Sequence, residues 1–180
     1  MMRSFHIRHA NIVTHFEVRT CSLDHFYNII SEVNHIINEV SEMKELTMEN
    51  VILFLNENPN GFLATMDGGK PKVRPMGFMM GEDETLYFNT NSLKDVYTQL
   101  LENPFVEYAS VSKEMVTVRI SGEVQFCEDA KIKEKVFNVN EAVKQGYRTA
   151  ENPIYKVFYI KHGVITVSYF SGQPARKMEF

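Results

Sequence analysis

The sequence predicts a mainly β protein, a small barrel of six to seven antiparallel strands with a few peripheral helices. Between Gly61 and Phe170, short apolar runs recur, several of them strictly alternating. Tight-turn signals, above all Asp67-Gly68-Gly69, separate neighbouring runs at hairpin spacing. Few helical stretches intervene, and closure into a barrel removes the strand edges that an open sheet of this length would expose.

Taken in order, Phe5 to Val18 is a short alternating stretch. A helix follows from a Ser22 cap, with Leu23, Phe26, Ile30, Val33, Ile37 and Val40 at helical spacing. A second helix spans Met48 to Asn56 and stops at Asn58-Pro59-Asn60-Gly61. Strands are then expected at Gly61 to Met66, Lys72 to Met80 and Thr85 to Asn91. An amphipathic helix from Ser92 to Glu102 places Leu93, Val96, Tyr97, Leu100 and Leu101 on one face, and Asn103-Pro104 ends it. Phe105 to Ser112 and Met115 to Phe126 form a hairpin. In its second arm Val116, Val118, Ile120, Val124 and Phe126 point inward. Lys131 to Gln145 is helical with a break near Asn138 to Asn140. Ile154 to Ile160 and Val164 to Phe170 make a last hairpin through Lys161-His162-Gly163.

Composition bounds the function. The chain has 180 residues, 44% of them apolar, with 13 phenylalanines, enough for one sizeable core. A net charge of -4 excludes a general nucleic-acid binder, which needs a basic face. No apolar run approaches the roughly 20 residues that span a bilayer, and Met1 to His15 lacks a signal-peptide h-region. Cys21 and Cys127 have no metal-type spacing and read as reduced thiols of a cytoplasmic protein. Cys127 has no histidine near it in sequence and reads as packed rather than nucleophilic. Five of the six histidines precede Met43. Around His6, Arg8, His9 and His15 no recognisable ligand set is complete, so no metal site is expected.

Chemistry concentrates in two stretches. In a strand, Lys72, Arg74 and Met76 share one face, and Pro75 cannot donate to a ladder, which marks an edge or bulge. Arg74 offers a planar fork for a phosphate and Lys94 a point charge. The strand ending at Thr90 and Asn91 runs into a helix start where Ser92 and Asp95 fit a capping box. Its free N–H groups suit a phosphate monoester. The same pattern also describes an ordinary cap beside a solvated lysine. Met76, Met79 and Met80 are compatible with an apolar ligand wall or with packing alone.

The ordered set Gly61-Phe-Leu-Ala-Thr65, Lys72-Val-Arg-Pro-Met-Gly77, Leu86-Tyr-Phe-Asn-Thr90, Ser92-Leu-Lys94, Asn103-Pro104 and Val118-Arg-Ile-Ser-Gly-Glu123 resembles the FMN-binding split-barrel family. That family includes pyridoxamine-phosphate oxidases and nitroimidazole-reductase-like proteins. The resemblance covers residues 43–180 and leaves 1–42 as an N-terminal extension. It implies FMN as cofactor, with Arg74 and Lys94 on the phosphate and Ser92 and Asn91 as hydrogen-bonding partners. It further implies Val73, Pro75 and Met76 presenting backbone to the isoalloxazine ring, Thr90 near the ribityl chain, and Thr117 in contact with flavin. A homodimer with the flavin cleft at its interface is implied, with the strand around Tyr169 near the partner. The ending Gly172 to Phe180 lacks the arginine-rich signature of true pyridoxamine-phosphate oxidases, so B6 oxidation is not implied.

The expected function is an FMN-dependent oxidoreductase of unidentified substrate, reduced by NADH or NADPH, with no catalytic side chain or proton donor identified. A flavin carries the redox chemistry itself, so no protein-side constellation is required. The alternatives are a non-catalytic dimer holding FMN or haem for sensing or storage, and a purely structural dimer. Haem needs an axial ligand, and the barrel portion offers only His162 as a histidine.

Overall fold

The computed structural model describes residues 3–9, 12–18, 45–170 and 172–180. The chain divides into two compact units, Met1–Glu45 and Leu46–Phe180. In the first, β1 (Arg3–His9) and β2 (Ile12–Val18) form an antiparallel hairpin registered from Arg3 opposite Val18 to His9 opposite Ile12. The helix expected from Ser22 lies outside the described residues.

The second unit opens with α1 (Met48–Glu57). Thr47 caps it by accepting the Asn50 N–H at 3.3 Å, and Met48, Val51, Phe54 and Leu55 are buried. β3 (Asn60–Asp67) and β4 (Lys70–Glu82) follow, joined by Gly68 and Gly69 at φ 52° and 79°. Two positive φ values in a two-residue loop match the right-handed strand twist, which is why glycines stand there. β5 (Thr85–Asn91) leads to α2 (Asp95–Glu102). Next come β6 (Phe105–Val111), β7 (Val116–Phe126), α3 (Ala130–Asn138) and α4 (Glu141–Tyr147). The helical break falls where expected, because the Asn140 side chain caps α4 by accepting the Ala142 and Val143 N–H groups.

The antiparallel sheet has the order β5-β4-β3-β6-β7-β8-β9, and β5 pairs with β8 to close the first six strands into a barrel. Here β8 is Tyr155–Tyr169 and β9 is Arg176–Glu179. Inside, Phe88 stacks on Phe158 with centroids 5.4 Å apart and meets Tyr108 at 4.9 Å. Leu63, Leu86, Val118, Ile120, Ile160 and Ile165 fill the remaining interior. A second buried cluster holds Met79, Cys127, Val136, Phe137, Tyr155 and Val157 beneath α3. Burial pushes the Cys127 thiol up, so it stays protonated. None of the helices among the described residues is long and apolar enough to cross a membrane.

Three expectations are corrected. First, Lys161-His162-Gly163 is not a turn. β8 runs straight through it for 15 residues, pairing with β5 over Tyr155–Ile160 and with β9 over Val164–Val167 while β7 follows its other edge. Gly163 lies opposite Gly122 in that ladder, so its missing side chain serves close strand approach rather than chain reversal. Second, Ser92 does not cap α2. The Asn91 side chain accepts the Leu93 N–H at 2.8 Å, the Ser92 N–H is committed to the Ile154 carbonyl at 2.9 Å, and the helix begins only after Lys94. Third, Leu93 (78% exposed) and Leu101 (58%) are outside the buried stripe, which consists of Val96, Gln99 and Leu100.

The feature that positions the site is a divergence of β4 from β5. These strands pair only between Phe78–Glu82 and Thr85–Phe88, with a register shift at Met79. Before Phe78, β4 pairs with β3 alone, and Asn89–Asn91 of β5 pair with β8 alone. The barrel is therefore split between Arg74–Gly77 and Asn89–Asn91.

Candidate functional site

Two adjoining clefts occupy this split. The larger, about 430 Å³, is lined by Asp67, Lys72, Val73, Arg74, Pro75, Lys94, Asp95, Val96 and Gln99. The smaller, about 200 Å³, is lined by Arg74, Pro75, Met76, Gly77, Asn89, Thr90, Lys94, Val96 and Tyr147. Arg74, Pro75, Lys94 and Val96 belong to both. Pro75 sits on the β4 edge that β5 has left, where its missing N–H costs no ladder bond.

Arg74 stands opposite Leu63 on β3, so it shares that residue's inward face with Thr65. Its Nη1 donates to Thr65 Oγ1 at 2.5 Å and, at 3.4 Å, to the Leu63 carbonyl. Nη2 donates to Gln99 Oε1 at 2.7 Å, and the Thr65 hydroxyl donates to the same oxygen at 2.7 Å. Thr65 and Gln99 are buried polar side chains, and this ring of hydrogen bonds satisfies the Thr65 hydroxyl and the Gln99 amide oxygen. Burial lowers the Arg74 pKa from its ordinary value, and the negative charge of Asp95 works against that shift. The guanidinium remains charged at neutral pH.

Lys94 is exposed and forms the backbone N-cap of α2 without a side-chain capping bond. The first N–H groups of α2 therefore open beside Lys94 and Arg74, and a helix start carries partial positive charge. Asp67 and Asp95 bring two carboxylates into the larger cleft. Asp67 lies 3.6 Å from Lys72, both about half exposed, an ion pair of little energetic weight.

Of the residues expected from sequence, the split brings together Val73, Arg74, Pro75, Met76, Thr90 and Lys94. Asn91 and Ser92 are spent on the turn before α2 and do not line either cleft. Thr117 pairs with Val111 and Ser168 on β7, the strand opposite β4 around the barrel, and is also absent from both linings.

Sequence reasoning missed Thr65, Gln99, Asn89 and Tyr147. Gln99 was findable, since Val96, Gln99 and Leu100 keep i, i+3, i+4 spacing and place an amide in the buried stripe. Tyr147 carried no such signal. It arrives from α4, where the Asn152 amide donates to its carbonyl at 2.8 Å and its ring packs on Tyr155 with centroids 4.8 Å apart. Burial raises its phenol pKa, only partly opposed by the Asn91 side chain, so Tyr147 brings an intact O–H donor to the cleft wall.

The donor set fits a phosphorylated ring compound. Arg74, Lys94 and the α2 start gather cationic and N–H groups at one end. Pro75, Met76, Gly77 and Val96 supply a wall that is mainly apolar, with the unpaired edge of β4 beside it. Asn89 and Thr90 add polar side chains to the lining of the smaller cleft.

The family profile described as Pyridoxamine 5'-phosphate oxidase matches residues 48–160. No curated protein matches the chain significantly. Among solved structures, a NimC/NimA family protein from Clostridium acetobutylicum is 28% identical with a TM-score of 0.68, covering 74% of this chain and 92% of its own. A pyridoxamine 5'-phosphate oxidase-related, FMN-binding protein from Nostoc punctiforme shares the fold at 13% identity and TM-score 0.54, covering 76% and 91%. A haem-binding protein from Mycobacterium smegmatis does so at 14% identity and TM-score 0.60, covering 76% and 58%.

Proposed function

Because this chain belongs to the pyridoxamine 5'-phosphate oxidase family, we propose that the split between β4 and β5 holds FMN and that the protein is an FMN-dependent oxidoreductase. The observation that carries this is the meeting of Arg74, Lys94 and the start of α2, which has no side-chain cap, in a cleft that also exposes an apolar strip of Val73, Pro75, Met76 and Val96. Arg74 and Lys94 hold the phosphate, Thr90 and Asn89 face the ribityl chain, and Val73, Pro75 and Met76 offer backbone to the ring. When bound, FMN supplies hydride and one-electron transfer, and the chain's task is to hold, orient and shield it. Electrons come from NADH or NADPH.

A second copy of the chain completes the cleft in this proposal. Phe62 (55% exposed) and Val73 (66%) lie on the outer face of β3 and β4, and Phe62 pairs directly with Pro75. Such an apolar strip beside a ligand cleft fits a subunit interface. Thr117 lies on β7, on the far side of the barrel from β4, so a contact with flavin requires the interface to extend beyond β3 and β4 to that strand.

Haem needs an axial ligand. Among the described residues neither cleft is lined by a histidine or cysteine, which leaves Met76 and Tyr147 as the side chains able to serve, while His162 is exposed on β8 beside the Gly163 approach. Purification tests the proposal: a yellow dimer with flavin absorbance that NADH or NADPH bleaches anaerobically is the expected result. A flavin-loaded protein that neither reductant bleaches is a storage or sensing module. A colourless protein that takes up no FMN is a structural dimer, and the proposal fails.

A further inference from the structure

Thr65 Oγ1 and Gln99 Oε1 stand 2.7 Å apart, one on Nη1 of Arg74 and the other on Nη2. Two acceptors that close together fit only side by side across the end of the guanidinium, where Nη1 and Nη2 point forward. They occupy that edge much as the two oxygens of a carboxylate would, but without its charge. The remaining Nη1 hydrogen points back along the side chain, toward the Leu63 carbonyl. One pair of donors is left, Nε–H and the second Nη2–H, which form the lateral edge of the fork. Among the described residues, none accepts from Nε.

We infer that Gln99, together with Thr65, is a positioning residue that fills the terminal edge of Arg74 and turns its lateral edge to the cleft for a two-point contact with a phosphate monoester. The inference rests on the FMN proposal and names what makes the arginine selective for the phosphate. A buried amide explains itself this way. Gln99 is only 6% exposed, and a leucine at that position would continue the apolar stripe of Val96 and Leu100. A neutral acceptor also leaves the full positive charge of Arg74 available to the ligand, whereas a glutamate would offset it. Asp95, the carboxylate that does act on Arg74, lies at the helix start and contributes at longer range.

FMN and riboflavin differ only in the phosphate, so their affinities for the flavin-stripped full-length protein provide the test. In the wild type, FMN binds more tightly than riboflavin. Gln99→Leu keeps the volume, removes the acceptor and is expected to weaken FMN at least tenfold while changing riboflavin less than twofold. Gln99→Met, which also lacks the acceptor, is expected to give the same selective loss of FMN. In an Arg74→Ala background, Gln99→Leu has no further effect on FMN. Equal loss of both flavins in Gln99→Leu assigns Gln99 a packing role and overturns the inference, as does an unchanged ratio. If Gln99→Leu does not fold, Gln99→Met decides: an unchanged FMN-to-riboflavin ratio in that variant overturns the inference. A wild type that binds neither flavin, or both equally, overturns the FMN proposal itself and this inference with it.

Discussion

Gly163 faces Gly122 across the β7–β8 ladder, so closely that a methyl group on Gly163 would overlap the Ser121 carbonyl oxygen and stand 3.1 Å from the Gly122 Cα. The first obstacle is backbone, which cannot rotate aside. Gly163→Ala is therefore expected to cost about 3 kcal/mol, the upper part of the range for overpacking. A lowered urea midpoint with an unchanged slope is the expected result. An unchanged midpoint would mean that the ladder shifts freely, and that the continuity of β8 does not depend on this glycine pair.

Arg74→Ala removes the guanidinium and should weaken FMN binding by about 1.5–3 kcal/mol, the scale of a charge-assisted hydrogen bond. Lys94→Ala should act in the same direction but less, since lysine provides a single point charge. Flavin fluorescence titration measures both. Full FMN affinity in Arg74→Ala would remove the phosphate from this end of the cleft.

Among the described residues nothing hydrogen-bonds the buried Tyr155 hydroxyl, and burial pushes its pKa up. An unpaired buried hydroxyl costs about 1–3 kcal/mol. Tyr155→Phe keeps the ring against Phe137 and Tyr147 and should raise the melting temperature by roughly 2–4 °C for each kcal/mol recovered. A lower melting temperature would reveal a partner for this hydroxyl, such as an ordered water.

Alkaline stability should decline in a defined window. Burial inside the barrel raises Tyr108 from the ordinary value of 10.0 to about 12. Above pH 10 the unfolded chain releases this proton while the folded chain keeps it. The stabilisation is complete below pH 10 and is lost as pH rises toward 12. Denaturant midpoints measured across that window should fall, and less steeply in Tyr108→Phe. Equal slopes in the two proteins would show that Tyr108 does not set the decline.

Most barrel strands were legible because their cause is local. Alternation along Val116 to Phe126 places every second residue inward, and the glycines after Asp67 satisfy a two-residue loop with positive φ at both positions. The fork of Arg74 and the proline beside it were visible for the same reason, since side-chain chemistry and a missing N–H belong to the residue alone.

What only tertiary structure decided is which local signals prevail. Gly163 resembles a turn until β7 is placed beside it. Ser92 resembles half of a capping box until its N–H is claimed by the carbonyl of Ile154, 62 residues further along the chain. Helical spacing places Gln99 in the buried stripe of α2, but only β3 and β4 bring it its partners Thr65 and Arg74. Sequence determined the alternating strands, the glycine turn and the presence of one arginine suited to phosphate. Strand pairing determined the split in the barrel and the direction in which that arginine faces. Hydrogen bonds between residues distant in the chain have no sequence period, so only the folded arrangement sets them.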